Sequence, residues 1–267
     1  MNKIRIMREK DTFFWFTLAC GTFIAAYILL PLIELITSPS ISDLWGSFKD
    51  KDVAGSIMLS IYTAGSAAII SFIFGTPLAY FLARHDFKGK RFLEAVIDLP
   101  IVIPHPVVGI ALLGIAGRNH WIGRIISDLG IRVLGSVTGI IAVLTFVGLP
   151  FYIHSAKSGF ESVSPRLEKV SRSLGATMSS TFLHITFPLA WRNMLVGIIM
   201  CSARAISEFG AVVVVAYHPM TAPVLIYERF EGYGLKYSQP VAVLLVLICL
   251  FLFFILRILT LRKARET

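Results

Sequence analysis

Residues 161–188 read ESVSPRLEKVSRSLGATMSSTFLHITFP, a polar segment that lies between two long apolar blocks. The chain has 267 residues, of which 56% are hydrophobic and 15% are charged, and its mean hydropathy is +0.77. A soluble domain of this size typically carries about 25% charged residues. The composition therefore argues against a soluble domain, and a polar hairpin between apolar helices indicates a docking surface for a soluble partner.

Six apolar blocks are long enough to cross a bilayer, which takes about 20 residues in a helix. Each block is expected to be helical, because unpaired backbone amides are costly in lipid. We expect residues 1–53 to form the N-terminus, the first helix and an outer loop, residues 54–261 the main membrane domain, and residues 262–267 a tail. The sequence predicts an all-α membrane protein with six transmembrane helices, near residues 13–36, 54–83, 92–116, 137–158, 192–216 and 239–261.

Basic residues are distributed unequally between the two expected sides of the membrane. The N-terminus, the tail and the two alternate loops between them carry 17 of the 25 Lys and Arg residues, whereas the other three loops carry 7. Since cytoplasmic segments are enriched in Lys and Arg, both termini are predicted to be cytoplasmic and the protein to lie in the cell membrane. The net charge of +9 is explained by this asymmetry and by anionic lipid headgroups, so it does not indicate nucleic-acid binding.

The polar segment predicts two short helices. Ser164 is a plausible N-cap with Pro165 in the first helical position, and Gly175 suits the left-handed residue that ends a helix. A second helix is expected after Ser179, with Pro188 ending it. An apolar stripe with a charged rim is more often a protein-docking face than a solvated loop, although both readings remain open. The stripe consists of Leu167, Val170 and Leu174, the rim of Glu168, Lys169 and Arg172, and the second helix adds Phe182 and Ile185.

The third apolar block contains three prolines within residues 98–106 and cannot form a regular helix there. Broken backbone at membrane depth is tolerated where protein or a water-filled cavity covers it. This segment is therefore expected beside a pathway or a helix crossing. An irregular entry just below the membrane surface is an equally good explanation.

The polar segment also resembles a known signature. Gly175, followed after nine residues by Ile185-Thr186-Phe187-Pro188, is similar to the cytoplasmic motif of ABC importer permeases, Glu-Ala-Ala-x-x-x-Gly-x9-Ile-x-Leu-Pro. Lys169-Val170-Ser171 replaces the Glu-Ala-Ala triplet, Glu168 lies one residue early, and Phe187 replaces leucine. Segments 75–80, 98–104 and 203–211 resemble the permease branch for tetrahedral oxyanions, above all the molybdate/tungstate permeases and next the sulfate permeases.

The resemblance implies a permease subunit of the type I fold that moves molybdate or tungstate into the cytoplasm by alternating access. It implies a homodimer, two separate ATP-binding-cassette subunits that dock on residues 160–188 and bind ATP and Mg²⁺, and an extracytoplasmic oxyanion-binding protein. The chain itself has no G-x-x-x-x-G-K-[ST] phosphate loop, so it is expected to be no enzyme and to hold no cofactor. The residues implied in coupling are Glu168, Lys169, Arg172, Leu174, Gly175, Phe182, Ile185 and Pro188.

Ionisable residues within the apolar blocks are candidates for the translocation pathway. Arg204 and Glu208 are four residues apart and near mid-membrane, where a charge is costly unless it is paired or hydrated. They either attract the dianion or form an ion pair that holds the fold, and the pair is the favoured reading. His105, which follows Pro104, either donates to the oxyanion or, as we favour, satisfies a backbone carbonyl freed by the prolines.

Three other functions compete with this one. A sulfate or thiosulfate permease differs only in substrate. An ion-coupled secondary transporter usually shows inverted repeats, and no symmetry is visible in this sequence. An intramembrane hydrolase would need a Ser/His or paired-Asp constellation within the apolar blocks. No catalytic motif and no histidine or cysteine spacing typical of a metal site occurs, so neither kind of site is predicted.

Overall fold

The computed structural model describes residues 12–262, and within this range the chain consists of helices without β-strands, which confirms the all-α class. The predicted N-terminal segment up to residue 11 and the tail beyond residue 262 lie outside the described residues. The helices are α1 (Thr12–Thr37), α2 (Ile41–Lys49), α3 (Lys51–Arg84), α4 (Lys90–Val102), α5 (His105–Ala116), α6 (Trp121–Asp128), α7 (Val137–Ser162), α8 (Pro165–Ser173), α9 (Met178–Thr181), α10 (Phe187–Ile206), α11 (Gly210–Val215), α12 (Ala222–Tyr233) and α13 (Leu235–Arg262).

Four helical runs in the described residues are long and apolar enough to cross a membrane: α1, α3, α7 and the run Met178–Ile206. Helices α4 and α5 meet the same condition together but are bent by 111°. Helix α13 contains the apolar stretch Leu235–Phe251 within its described part. The protein is therefore a multi-pass membrane protein, while the count of six spans stays a prediction.

The third predicted span is broken, as the prolines indicated, but the break is narrower than expected. Helix α4 continues through Pro100 to Val102, and only Ile103 and Pro104 separate it from α5. Pro104 has no N–H to donate and disfavours helical backbone at the residue before it. Ile103 accordingly has extended backbone, with φ −71° and ψ 133°.

The prediction of one continuous helix over residues 192–216 is wrong. Helix α10 ends at Ile206, and α11 begins only at Gly210. A carboxylate oxygen of Glu208 accepts a hydrogen bond from the backbone N–H of Ala211 at 2.9 Å. Such a side-chain bond offers the backbone an alternative to helical hydrogen bonding, which explains the interruption.

The second short helix of the polar segment also differs from its prediction. It begins after Thr177, whose hydroxyl accepts a hydrogen bond from the N–H of Ser180 at 3.2 Å, rather than after Ser179. Pro188 does not end it. A π-helical turn at Phe182–Thr186 leads from α9 into α10, and Pro188 lies in the first turn of α10, where its missing N–H is tolerated.

Helices α7 and α10 pack closely beside α3 along three glycines, Gly148, Gly159 and Gly197, which we call the glycine seam. A Cβ added at Gly148 would lie 2.6 Å from Sγ of Cys201, and one at Gly159 would lie 2.6 Å from Cβ of Asn193. Both distances are shorter than real contacts allow, so only glycine permits this approach. Small residues that let helix backbones approach closely are the usual means of packing helices in lipid.

Candidate functional site

The first candidate site is an apolar groove beside α8. This helix begins at Pro165, and Gly175 has φ +92°, both as predicted. The side chains of Leu167, Val170 and Leu174 are 46%, 58% and 83% exposed. Together with the half-buried Ile185 and with Arg166, Ser171 and Ala176, they line one groove.

Two charged residues of the predicted rim lie on the same helix as the groove. Lys169 and Arg172 are exposed, and among the described residues neither forms an ion pair. Met178 is also exposed, as is Pro188. The predicted apolar stripe is therefore on the surface together with Lys169 and Arg172 of the predicted charged rim, and its docking role stays a prediction.

Glu168 belongs to the same helix but points into the protein. Its Oε1 atom accepts hydrogen bonds from Nε of Arg84 at 2.8 Å and from the hydroxyl of Thr186 at 2.8 Å. Its Oε2 atom accepts from the hydroxyl of Tyr80 at 3.3 Å. The side chains of Arg84 and Glu168 are only 9% and 13% exposed, so this cluster ties α8 to α3 and to the π-helical turn.

Two further contacts extend the attachment. A second nitrogen of Arg84 donates to the carbonyl of Val163 at 3.0 Å, immediately after α7. Phe182, predicted as a docking residue, is half-buried and packs against Tyr80 and Phe160, with ring centroids 4.9 and 6.0 Å away. Sequence reasoning missed Tyr80 and Arg84, although their spacing of four residues in the last turn of α3 places them on one face.

The second candidate site joins the two broken helices. Nη2 of Arg204 lies 2.8 Å from Oε2 of Glu208 and 2.8 Å from Nε2 of His105. Nδ1 of His105 lies 3.3 Å from the same carboxylate oxygen. Nη2 of Arg204 also lies 3.2 Å from Nδ1 of His105, so the imidazole ring contacts both partners of the ion pair.

The arrangement confirms the predicted pairing of Arg204 with Glu208 and adds His105 to it. The histidine ring contacts these side chains, whereas the sequence favoured a backbone carbonyl as its partner. Pro104 precedes α5, and its carbonyl accepts hydrogen bonds from the backbone N–H groups of Val107 and Val108. The structure thus brings three of the four predicted pathway residues into one cluster, where the two breaks meet.

Further ion pairs connect α4 with α7. His154 contacts the carboxylate of Asp98, and Nζ of Lys157 lies 2.6 Å from Glu94 and 3.5 Å from Glu161. Sequence reasoning assigned none of these residues, and the two pairs between α4 and α7 join residues 56 and 63 positions apart in the chain. The pairs that involve Asp98 and Glu94 hold α4, the helix before the break at residues 103–104, against α7.

At the end of α3 opposite α8, Asp50 and Arg229 form an ion pair of 2.6 Å. The hydrogen bond from the Arg229 side chain lowers the pKa of Asp50, against the opposing effect of burial, and the backbone N–H of Asp52 lowers it further. Arg229 also lines a cavity with Lys51, Ser56 and His218 among others. Among the described residues no group of three or more His, Cys, Asp or Glu side chains is placed to hold a metal ion.

Comparison with known proteins gives the same family as the sequence motif. A family model described as "Binding-protein-dependent transport system inner membrane component" matches residues 75–265. The molybdate/tungstate transport system permease protein WtpB of Thermococcus kodakarensis is 44% identical over 259 residues, which are 96% of this chain and 99% of the relative. A probable sulfate transport system permease protein of Chlorokybus atmophyticus is 32% identical over 234 residues, covering 85% of this chain and 82% of the relative.

The fold agrees with a solved transporter. The crystal structure of a bacterial alginate ABC transporter, in complex with a pentasaccharide-bound periplasmic protein, contains a chain that matches with a TM-score of 0.77 at 14% identity. The match covers 94% of this chain and 95% of that one, and at this identity it shows the fold alone. Family model, relatives and fold agree with the cytoplasmic motif, and the chain therefore belongs to the binding-protein-dependent transport system inner membrane components, the permeases of ABC importers.

Proposed function

We propose that this chain is the permease subunit of an importer that moves molybdate or tungstate into the cytoplasm. The observation that carries the proposal is the identity to the molybdate/tungstate permease over nearly the whole of both chains, well above the identity to the sulfate permease. The cluster of Arg204 and His105, where two broken helices meet, offers basic groups to an oxyanion. Broken helices that line a passage are a common way to build a transport site.

The energy is proposed to come from a separate ATPase subunit that docks on the groove beside α8. The groove presents exposed Leu167, Val170 and Leu174, which would be costly to leave in water. Helix α8 is bound through Glu168 to α3 and to the π-helical turn that leads into α10, so a displacement of α8 is passed on to both. ATP and Mg²⁺ would be bound by that subunit and not by this chain.

The complex is proposed to contain two copies of this chain, two ATPase subunits and an extracytoplasmic oxyanion-binding protein, with lipid around the membrane helices. Twofold symmetry is the commonest closed arrangement for such assemblies. The distribution of basic residues favours α8 and both termini on the cytoplasmic side. The cavity beside Lys51 and Arg229 then opens on the outer side.

The test is reconstitution of this chain with its ATPase subunit and binding protein in liposomes. We expect uptake of molybdate that requires ATP, and ATP hydrolysis that molybdate stimulates. ATP hydrolysis by the purified chain alone would contradict the proposal. Uptake that survives ATP depletion but stops when the proton gradient is dissipated would instead support a secondary transporter, and uptake of sulfate that excess molybdate leaves unchanged would support the sulfate permease.

A further inference from the structure

Glu208 occupies the position that an anionic ligand would take. Its carboxylate accepts hydrogen bonds from the guanidinium of Arg204 at 2.8 Å and from the backbone N–H of Ala211 at 2.9 Å, and Nδ1 of His105 lies 3.3 Å away. These are the kinds of donor that proteins use to bind carboxylates, phosphates and related oxyanions. The chain therefore fills its own cluster of anion-binding donors with one of its own carboxylates.

The three side chains of the cluster differ in how much of each is exposed. The side chain of Glu208 is 1% exposed, whereas those of Arg204 and His105 are 21% and 37% exposed. An anion that approaches from the open side meets the guanidinium and the imidazole first, with the carboxylate behind them. Arg204 retains donor capacity on this side, because its Nη1 atom makes only a 3.5 Å contact with the Ser207 hydroxyl.

The charge of the pair determines how firmly such an anion is held. A guanidinium freed from its carboxylate would bind a dianion strongly, and strong binding slows release from a transport site. With Glu208 in contact, the positive charge of Arg204 is largely compensated, and the site attracts a dianion only weakly. A transport site has to bind well enough to admit the ion and weakly enough to release it.

We infer that Glu208 is a built-in counter-anion that keeps Arg204 and His105 in a low-affinity state toward the transported tetrahedral oxyanion. The inference rests on the proposed function and adds a regulating residue to the proposed pathway. In this inference Glu208 acts through Arg204 rather than by contact with the oxyanion, so it is a positioning residue. Removing its charge should therefore tighten binding of the oxyanion and slow its release.

The experiment compares the whole complex carrying Glu208→Gln with the unmodified complex, both in lipid nanodiscs and without binding protein, by equilibrium binding of radioactive molybdate. Loss of one negative charge within about 4 Å of the guanidinium should tighten binding at least about tenfold. In liposomes, with the binding protein, the maximal uptake rate should fall while the half-saturating concentration also falls. Arg204→Gln, combined with Glu208→Gln, should abolish the tighter binding.

Glu34→Gln is the matched control, since it makes the same chemical change at an exposed glutamate in α1 and should leave molybdate affinity unchanged. An assembled Glu208→Gln complex that binds molybdate no more tightly than the unmodified complex overturns the inference. If this variant does not assemble, the same binding measurement is made on Glu208→Asp. The aspartate side chain is one methylene shorter, so its carboxylate lies farther from Arg204 and compensates the guanidinium charge less. Tighter binding then supports the inference, and unchanged affinity overturns it.

Failure of the proposed function would be seen separately. If the unmodified complex, supplied with binding protein, shows neither molybdate-stimulated ATP hydrolysis nor molybdate uptake, the proposed function is wrong, and this inference is overturned with it. If stimulation and uptake are present but the variants bind molybdate as the unmodified complex does, only the role of Glu208 is overturned. Lower thermal stability of Glu208→Gln without tighter binding would show that the ion pair only holds the fold.

Discussion

The guanidinium of Arg84, in the last turn of α3, lies 2.8 Å from the carboxylate of Glu168 in α8. The same carboxylate oxygen accepts a hydrogen bond from Thr186 in the π-helical turn before α10. One side chain therefore joins the proposed docking helix to two membrane helices that are far apart in the sequence. Breaking this junction should affect how α8 transmits movement more than how it binds a partner.

The first prediction tests this junction. Glu168→Gln replaces a carboxylate that accepts three hydrogen bonds, and weakening bonds to a charged group costs about 1.5–3 kcal/mol. We expect uptake per ATP hydrolysed to fall several-fold, while basal ATP hydrolysis and recovery of the complex remain near normal. The measurement is the ratio of molybdate transported to ATP consumed in liposomes.

Asp86→Asn is a matched control. It removes an exposed carboxylate that lies 2.8 Å from Nζ of Lys90, on the same side of the protein as Glu168. This variant should keep the normal ratio, because its ion pair does not connect α8 to the membrane helices. A Glu168→Gln complex that transports the normal amount per ATP would show that the junction does not transmit the movement.

The second prediction concerns Gly175, which has φ +92° and open space where a side chain would begin. Gly175→Val should cost about 1–2 kcal/mol through backbone strain alone and displace α9 from α8. We expect weaker association with the ATPase subunit and lower uptake, with normal membrane insertion. Gly232→Val, at a helical glycine with equally open surroundings, is the control. Unchanged recovery of the complex would argue against docking on α8.

The third prediction uses Arg204 and Glu208 together. Arg204→Leu leaves a buried carboxylate without its cation, which costs about 3–5 kcal/mol, and adding Glu208→Leu relieves this cost. The double variant should therefore recover stability, measured as the melting temperature of the complex. Molybdate uptake should stay low, because the basic group on the proposed pathway is gone. Recovery of stability together with uptake would reduce the pair to a purely structural role.

The fourth prediction is a pH dependence at Asp50. Because the Arg229 hydrogen bond lowers the pKa of Asp50, the ionised carboxylate stabilises the fold above about pH 4. This contribution is lost as pH falls through the lowered pKa. Asp50→Asn should lower the melting temperature at pH 7, by an amount corresponding to about 1 kcal/mol or less for a partly exposed pair. The difference from the unmodified protein should shrink below pH 4, and a constant difference would contradict the proposed cause.

Hydropathy predicted the long helices well, because the length of an apolar block is a local property of the sequence. The break after Ile206 escaped prediction, since Ser207, Glu208 and Phe209 include neither proline nor glycine. It accompanies a local hydrogen bond from Ala211 to Glu208 and a contact of Glu208 with His105, and only the second of these is set by tertiary structure. The proline break was foreseen for the opposite reason, as Pro104 carries its conformational restriction with it.

In the candidate sites too, contacts within one segment were predictable from the sequence and contacts between distant segments were not. The spacing of Arg204 and Glu208 within one segment predicted their ion pair, which the structure confirms. The addition of His105, separated from Arg204 by 99 residues, could not be read from spacing. Glu168 was predicted as a docking residue from its place beside the family motif, but its partners lie on other helices and reveal the inward orientation.

The glycine seam has a mechanical consequence. With Cys201 and Asn193 filling the space that Cβ atoms of Gly148 and Gly159 would need, α7 and α10 cannot slide past each other by a helical turn of about 5.4 Å. The two helices are therefore expected to move together as one rigid body. Movement of the proposed docking helix α8 would then reach α7 and α10 together. The interruptions at residues 103–104 and 207–209, where the cluster of Arg204, Glu208 and His105 lies, offer places for the chain to bend.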